Sequence, residues 1–380
     1  MATGSKGLDY LGDRRHEPVT LALLTVLAIT MTLAVTGLSR IYFGQQQALA
    51  VRWAARGMND LKQQRFEAAA EEFRAALRYE RDNGSYQLNL AEALLGQKKT
   101  NEAYAYLINL WDREPENGLV NLELARIAAS RGQTEQALRF YHNAIYATWP
   151  GNQEQETRNS RLELIDYLLG IDARTQAQAE LIALEANLPE DSPLQSHLGG
   201  LFLKAGDDEH ALAAFRLALR EDRHNAAALA GAGAAAFEQG RYLAAESYLR
   251  LAVAAAPDDV DSAARLTTTE TVLALDPFRP QISAAARNLI VVKAFSAAGD
   301  RIRTCPALSG QPPHGRPDLV QQWIKLKPRV TEYGLRRDPD LVNSAMQLTF
   351  NIEQQTGGWC GAVTEADSAL LLIAKLHEEH

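Results

Sequence analysis

Residues 53–79 read WAARGMNDLKQQRFEAAAEEFRAALRY, and five of them decide the fold: Trp53, Gly57, Ala69, Phe73 and Ala76. Their spacing returns down the chain. Alanines recur at Ala69, Ala103 and Ala137, each 34 residues apart, and again at Ala177, Ala211 and Ala245 after an insertion near residues 152–157. Four residues after each alanine stands a large side chain: Phe73, Leu107, Tyr141, Leu181, Phe215 and Leu249. Three further on stand Ala76, Leu110, Ala144, Leu184, Ala218 and Ala252. Twelve residues before the alanine the side chain is small at Gly57, Ala91, Ala125, Gly199 and Gly233, with Ile165 the exception.

A helix hairpin explains this pattern. The small residue on the first helix and the alanine on the second let two backbones approach, and the large residues fill the space between neighbouring hairpins. One hairpin cannot bury its apolar face alone, so the units must stack. A generic helical bundle needs no fixed period.

These residues resemble the tetratricopeptide repeat, a helix-turn-helix unit with W-x2-L-G, A-x3-F and a closing proline. Trp53 stands at the tryptophan position, and Pro115, Pro189 and Pro257 stand at the closing proline; Arg81 and Arg223 replace it. The resemblance implies an all-α fold, an α-solenoid in which hairpins form a right-handed superhelix. Its units fall near 50–83, 84–117, 118–151, 158–191, 192–225 and 226–259, with a capping helix at 260–275 closing a solenoid over 45–276. It also implies a protein-binding groove lined by the first helix of each unit. The positions there are Leu88, Leu95, Leu122, Leu162, Leu169, Leu203 and Phe237, with Arg126, Asp166 and Lys204 among them. The clamp with which some such proteins grip chaperone tails is matched only by Asn89; Ala54, Leu119 and Glu123 stand at its basic places.

Residues 19–38 carry no charge. Twenty helical residues span about 30 Å, a bilayer core. A transmembrane helix over 18–40 therefore follows an N-terminal tail at 1–17. Arg14, Arg15 and Arg40 flank the span, and Tyr42 and Phe43 stand where interfacial aromatics sit. Thr20, Thr25, Thr30, Thr32 and Thr36 fit a span if each hydroxyl bonds back to its own helix. A cleaved signal peptide has a shorter apolar run and a nearer cleavage site. Lys6, Arg14 and Arg15 nearly balance Arg40, Arg52 and Arg56, but the short tail and arginine pair place residues 1–17 in the cytoplasm and the bulk of the chain in the periplasm across an inner membrane.

A net charge of −8 argues against nucleic acid as a partner. Cys305 and Cys360 belong to no CxxC, so zinc-ribbon, thioredoxin and haem-attachment motifs are absent and no cofactor is expected. Both stand at helix ends in one region, which makes a disulfide expected in an oxidising compartment; two buried thiols are the alternative.

After Asp276-Pro277 the period stops. Residues 277–380 read as helices at 281–303 (apolar Ile282, Leu289, Val292, Phe295), 318–335 broken near Pro328, 340–355, and 364–377 with a Thr364–Asp367 capping box. Residues 306–317 read as a Pro/Gly loop. The region resembles the C-terminal part of bacterial membrane tetratricopeptide proteins. His377-Glu378-Glu379-His380 lacks the HExxH spacing and reads as a solvated tail. With no nucleophile, metal cluster or phosphate loop, an enzyme is not expected. The expectation is a membrane-anchored scaffold binding other proteins, in secretion or envelope assembly; the alternative is a structural subunit of a larger membrane complex.

Overall fold

The computed structural model describes residues 17–189, 191–305, 318–357, 360 and 364–378. Residues 1–16 of the N-terminal tail, the 306–317 loop and the last two residues of the His377–His380 cluster lie outside them. The described residues form helices and no named strand. They divide into two compact units, one ending at Leu164 and one beginning at Ile165.

The first helix, α1 (Glu17–Lys62), joins two elements that the sequence separates. Its apolar stretch from Leu21 to Leu38 is exposed throughout, yet it runs unbroken into the first helix of the first hairpin. No proline interrupts residues 39–49, so the backbone has no reason to stop. Thr25, Thr30, Thr32 and Thr36 each donate to a carbonyl three or four residues earlier, at 2.7–3.0 Å. Those hydroxyls are thereby satisfied without solvent.

Hairpins follow at the sequence period. In the first unit, α1 pairs with α2 (Phe66–Tyr79), then α3 (Gly84–Gly96) with α4 (Thr100–Arg113) and α5 (Gly118–Ser130) with α6 (Thr134–Ile145). Helix α7 (Gln153–Gly170) carries the unit boundary. The second unit continues with α8 (Arg174–Glu185), α9 (Ser192–Ala205), α10 (Asp208–Glu221), α11 (Ala226–Glu238), α12 (Tyr242–Ala255) and α13 (Val260–Leu275).

Small and large residues meet as their spacing requires, but mostly inside one hairpin. A Cβ on Gly57 would stand 3.0 Å from the Phe73 ring, one on Gly199 2.8 Å from Phe215, and one on Gly233 2.6 Å from Leu249. Phe215 also lies against Gly231 of the next hairpin. Two more devices share the period. Asn83, Asn117, Asn152, Asp191, Asn225 and Asp259 each accept from a backbone N–H three residues on, capping the first helix of a unit. The turn to the second helix takes a left-handed residue at 64, 98, 132, 172, 206 and 240.

The loop after α6 is docked, and most of the insertion near 152–157 forms the start of α7. Trp149 is buried against Gly118 and donates to Ala144 O at 2.8 Å. Thr148 pairs with the 116–118 backbone.

In the second unit a different core begins. Helices α14 (Ala284–Thr304), α15 (Leu319–Leu326), α16 (Glu332–Arg337), α17 (Asp340–Gly357) and α18 (Glu365–Glu378) share one buried cluster with Tyr242 of the last hairpin and Val272, Leu273 and Leu275 of α13. Trp323 stacks on Phe295 at 5.6 Å, donates to its carbonyl at 3.1 Å and sits over Gly299. Leu289, one of the apolar residues of α14, is exposed, whereas Ile290 and Val291 are buried. The break at Pro328 and the Thr364–Asp367 capping box stand where the sequence puts them.

Candidate functional site

Leu88 and Leu95 stand seven residues apart on α3, and Leu162 stands on α7, all half-buried. Seven residues are two turns, so Leu88, Glu92 and Leu95 share a stripe. Leu122 does not belong with these open positions: it is 6% exposed and part of the core. It occupies the same place in its unit as Leu88, so the repeat alone does not set its burial. Arg126 reaches from α5 to α7, donating through Nε to Glu163 at 2.9 Å, again through Nη2 to Glu163, and through Nη1 to Glu123 at 2.5 Å. These bonds, with Glu163 first, hold its proton more firmly than usual. Burial pushes Glu123 and Glu92 up, and their mutual proximity raises Glu92 further. Arg126 is thus committed to a bond between repeats, on a face where carboxylates outnumber it.

In the second unit Asp166 and Lys204 are exposed, and Leu169 and Leu203 are half-buried. Phe237 is half-buried as well, with internal partners. It packs on the buried cluster, meets Tyr242 edge-on at 5.4 Å and lies under Arg265 at 5.8 Å.

Two hollows escaped the sequence. In the first unit an open cavity of about 540 Å³ is lined by Arg74, Leu77, Arg78, Arg81, Gln87 and Tyr106. Arg74 pairs with Glu102 at 2.9 Å, and Arg81 stands in place of the closing proline. In the second unit a smaller cavity of about 340 Å³ opens between the start of α12, the turn after α13 and α18. His377 belongs to its wall, not to a solvated tail: its ring lies 3.3 Å from Asp276 Oδ1 and 4.6 Å from the Phe278 ring. The Tyr242 hydroxyl is pushed up to about 12 by burial, then by Glu238 and Asp276. The signals for this site were the end of the period at Asp276-Pro277 and the histidine near the last helix end, which no local pattern connects.

Cys305 and Cys360 stand with Cα atoms 4.9 Å apart and their sulfurs paired. Among the described residues, no group of three or more His, Cys, Asp or Glu is arranged to hold a metal ion.

Family comparison agrees with this architecture. The tetratricopeptide repeat matches residues 55–110, 94–148 and 198–260; these segments are tetratricopeptide repeats. Among solved structures the chain is similar to YrrB, a TPR protein with an unusual peptide-binding site (17% identity, 51% of this chain and 97% of that one, TM-score 0.41). It is also similar to PilW, a type IV pilus biogenesis factor (18%, 58% and 98%, TM-score 0.39), and to Pseudomonas aeruginosa PilF (13%, 78% and 97%, TM-score 0.32). No curated protein matches the chain.

Proposed function

We propose that the chain is a scaffold held at a membrane by α1, and that it presents the first helices of its repeats to a polypeptide partner in secretion or envelope assembly. One observation carries the reading. The stretch from Leu21 to Phe43 is apolar, unburied and continuous with a helix of the first hairpin. Its exposed leucines, isoleucines and valines have no protein surface to cover them, and a bilayer would. A continuous helix would also set the first repeat at a fixed height above that bilayer. The half-buried Leu88, Leu95 and Leu162 give a partner apolar surface on the repeats.

The test has two independent parts. Carbonate-washed membranes should retain the full chain, and alkaline phosphatase fused after Val260 should be active. Release by carbonate, or activity only from a cytoplasmic reporter at the same place, would sink the anchor or its orientation. Separately, Leu88→Glu with Leu162→Glu should abolish recovery of co-purifying partners while leaving the melting temperature near that of the parent chain. Unchanged recovery would remove these positions from the binding surface.

A further inference from the structure

We propose that the groove of the first unit takes a basic amphipathic segment of another protein, a lysine or arginine of that segment standing between Glu92 and Glu123 while its apolar neighbours lie on Leu88, Leu95 and Leu162. This partner chemistry rests on the scaffold reading above.

The charges of the groove have a definite sign. Helix α3 (GSYQLNLAEALLG) holds Glu92 as its one charged residue, and α5 (GLVNLELARIAAS) holds Glu123 and Arg126. Helix α7 adds Glu163 beside Leu162. Three carboxylates therefore stand against one guanidinium, and that guanidinium is already committed. Arg126 gives Nε and Nη2 to Glu163 and Nη1 to Glu123. The cations of the flanking helices, Arg52, Arg56 and Lys62 of α1 and Arg158 and Arg161 of α7, are not among the charges that act on Glu92 or Glu123.

Glu92 is the carboxylate left over. It is exposed and, among the described residues, accepts no hydrogen bond and joins no ion pair. An exposed glutamate in open water needs no partner, but this one stands four residues after Leu88 and three before Leu95. A negative charge thus interrupts the middle of an apolar stripe. A polypeptide lying on the two leucines would cover it, and covering an unpaired carboxylate is costly. An apolar or acidic residue of the partner at that point would be rejected on those grounds; a lysine or arginine there forms a charge-assisted bond instead. The surroundings act in the same direction. Burial raises the Glu92 carboxyl, and the Glu123 charge raises it further against the pull of Arg126. Burial likewise raises Glu123, with Arg126 opposing and Glu163 adding. A cation between Glu92 and Glu123 relieves both. The leucines supply contact area, and the excess of negative charge supplies specificity and steering.

Random peptides displayed on phage and selected on the full chain in nanodiscs test the sign. Enriched peptides should carry lysine or arginine flanked by apolar residues. One such peptide, synthesised and titrated by fluorescence anisotropy, should bind Glu92→Gln about fivefold or more weakly than the parent chain, between the strength of an exposed ion pair and that of a buried charge-assisted bond. The melting temperature of Glu92→Gln should stay near that of the parent. Replacing the peptide's own basic residue by glutamine should weaken binding to the parent chain by a similar factor and should have no further effect on Glu92→Gln. Leu95→Ala should weaken the basic and glutamine peptides alike. Selection without basic enrichment, no selected peptide, an affinity unchanged by Glu92→Gln, or a basic-residue effect that persists in Glu92→Gln would overturn the proposal. Self-association of the chain that is lost in Glu92→Gln would overturn it too, since the groove would then belong to a second copy. Partner recovery with Leu88→Glu and Leu162→Glu is scored separately. Unchanged recovery fails the scaffold reading of this groove, whereas lost recovery without a basic preference fails only the partner chemistry.

Discussion

The hairpins and the helices that follow them meet the same requirement, burying one face of each helix, by different means. In the hairpins a large side chain is matched by a small one at a fixed offset, Ile165 being the exception. Gly57 takes Phe73, Gly199 takes Phe215 and Gly233 takes Leu249, and a capping residue and a left-handed turn recur with them. Stability is then a sum of similar local terms. From α14 onward no offset recurs. One cluster from Tyr242 to Ala374 is shared by helices far apart in sequence. It is tied by the Cys305–Cys360 pairing and by a buried ionic group in which Arg301 donates to Thr356 at 3.2 Å and faces Asp367 at 3.5 Å. The repeats tolerate variation unit by unit; the C-terminal cluster depends on a few contacts that nothing duplicates.

The comparison breaks first at its strongest points. Phe215 is the repeat residue most exposed to this test, because it touches glycines of two hairpins. Phe215→Ala should cost about 4 kcal/mol, the transfer and cavity loss of a buried phenylalanine. Urea unfolding followed by circular dichroism should show it as a broadened transition, one hairpin loosening before its neighbours. A sharp transition at the parent midpoint would mean that the hairpins do not carry stability locally.

Cys305→Ser tests the other side. The two cysteines close a loop of 55 residues, for which the chain-entropy account gives about 4 kcal/mol. The loss should fall on the C-terminal cluster. Limited proteolysis should open α14, α17 and α18 before any repeat, and non-reduced mass spectrometry of the parent chain should find no free thiol. Two free thiols in protein taken directly from cells would remove this tie.

A smaller effect follows from pH. Glu353 is buried with Oε1 unpartnered. Burial and then the Asp367 charge push it up to about 7 from 4.5, against the pull of Arg301. The folded state therefore holds a proton that the unfolded state releases. Stability from this group is present below pH 4.5, falls as pH rises between 4.5 and 7, and levels off above. The span is up to about 3 kcal/mol by linkage. Glu353→Gln should flatten the dependence in that window, and an unchanged slope would show that another group titrates there.

How much of this was legible depended on whether a residue's role lay within its own unit. The 34-residue period exposed the hairpins because Gly57 and Phe73, or Gly199 and Phe215, meet inside one unit. Burial decided by neighbours was not visible. Leu88 and Leu122 hold the same place, yet one is half-buried and the other is core. The same limit hid Phe237 under Arg265 and placed His377, 101 residues from Asp276, in a tail. That the apolar stretch and the first repeat share one helix was not legible for a simpler reason: composition changes at Arg40, but no residue there ends a helix.

The left-handed turn gives the finest test of the local arithmetic. Gly132, Gly206 and Gly240 hold it without penalty, whereas Gln64, Lys98 and Asp172 hold the same conformation at φ 58–60° with a Cβ in place. An L-residue pays for that conformation in contact between Cβ and carbonyl oxygen. Glycine avoids the clash but has a more flexible unfolded chain. The first term is the larger, so Lys98→Gly should stabilise by about 0.5 kcal/mol and Gly132→Ala should destabilise by about 1 kcal/mol. Lys98 is exposed and Gly132 has open space around its Cβ position, so neither change is confounded by packing. If the repeats add locally, the double variant should sum the two effects, read as shifts in urea midpoint at constant slope. If Lys98→Gly instead destabilises, the αL turn is held by more than backbone preference, and the hairpins lose the interchangeability that sets them apart from the C-terminal cluster.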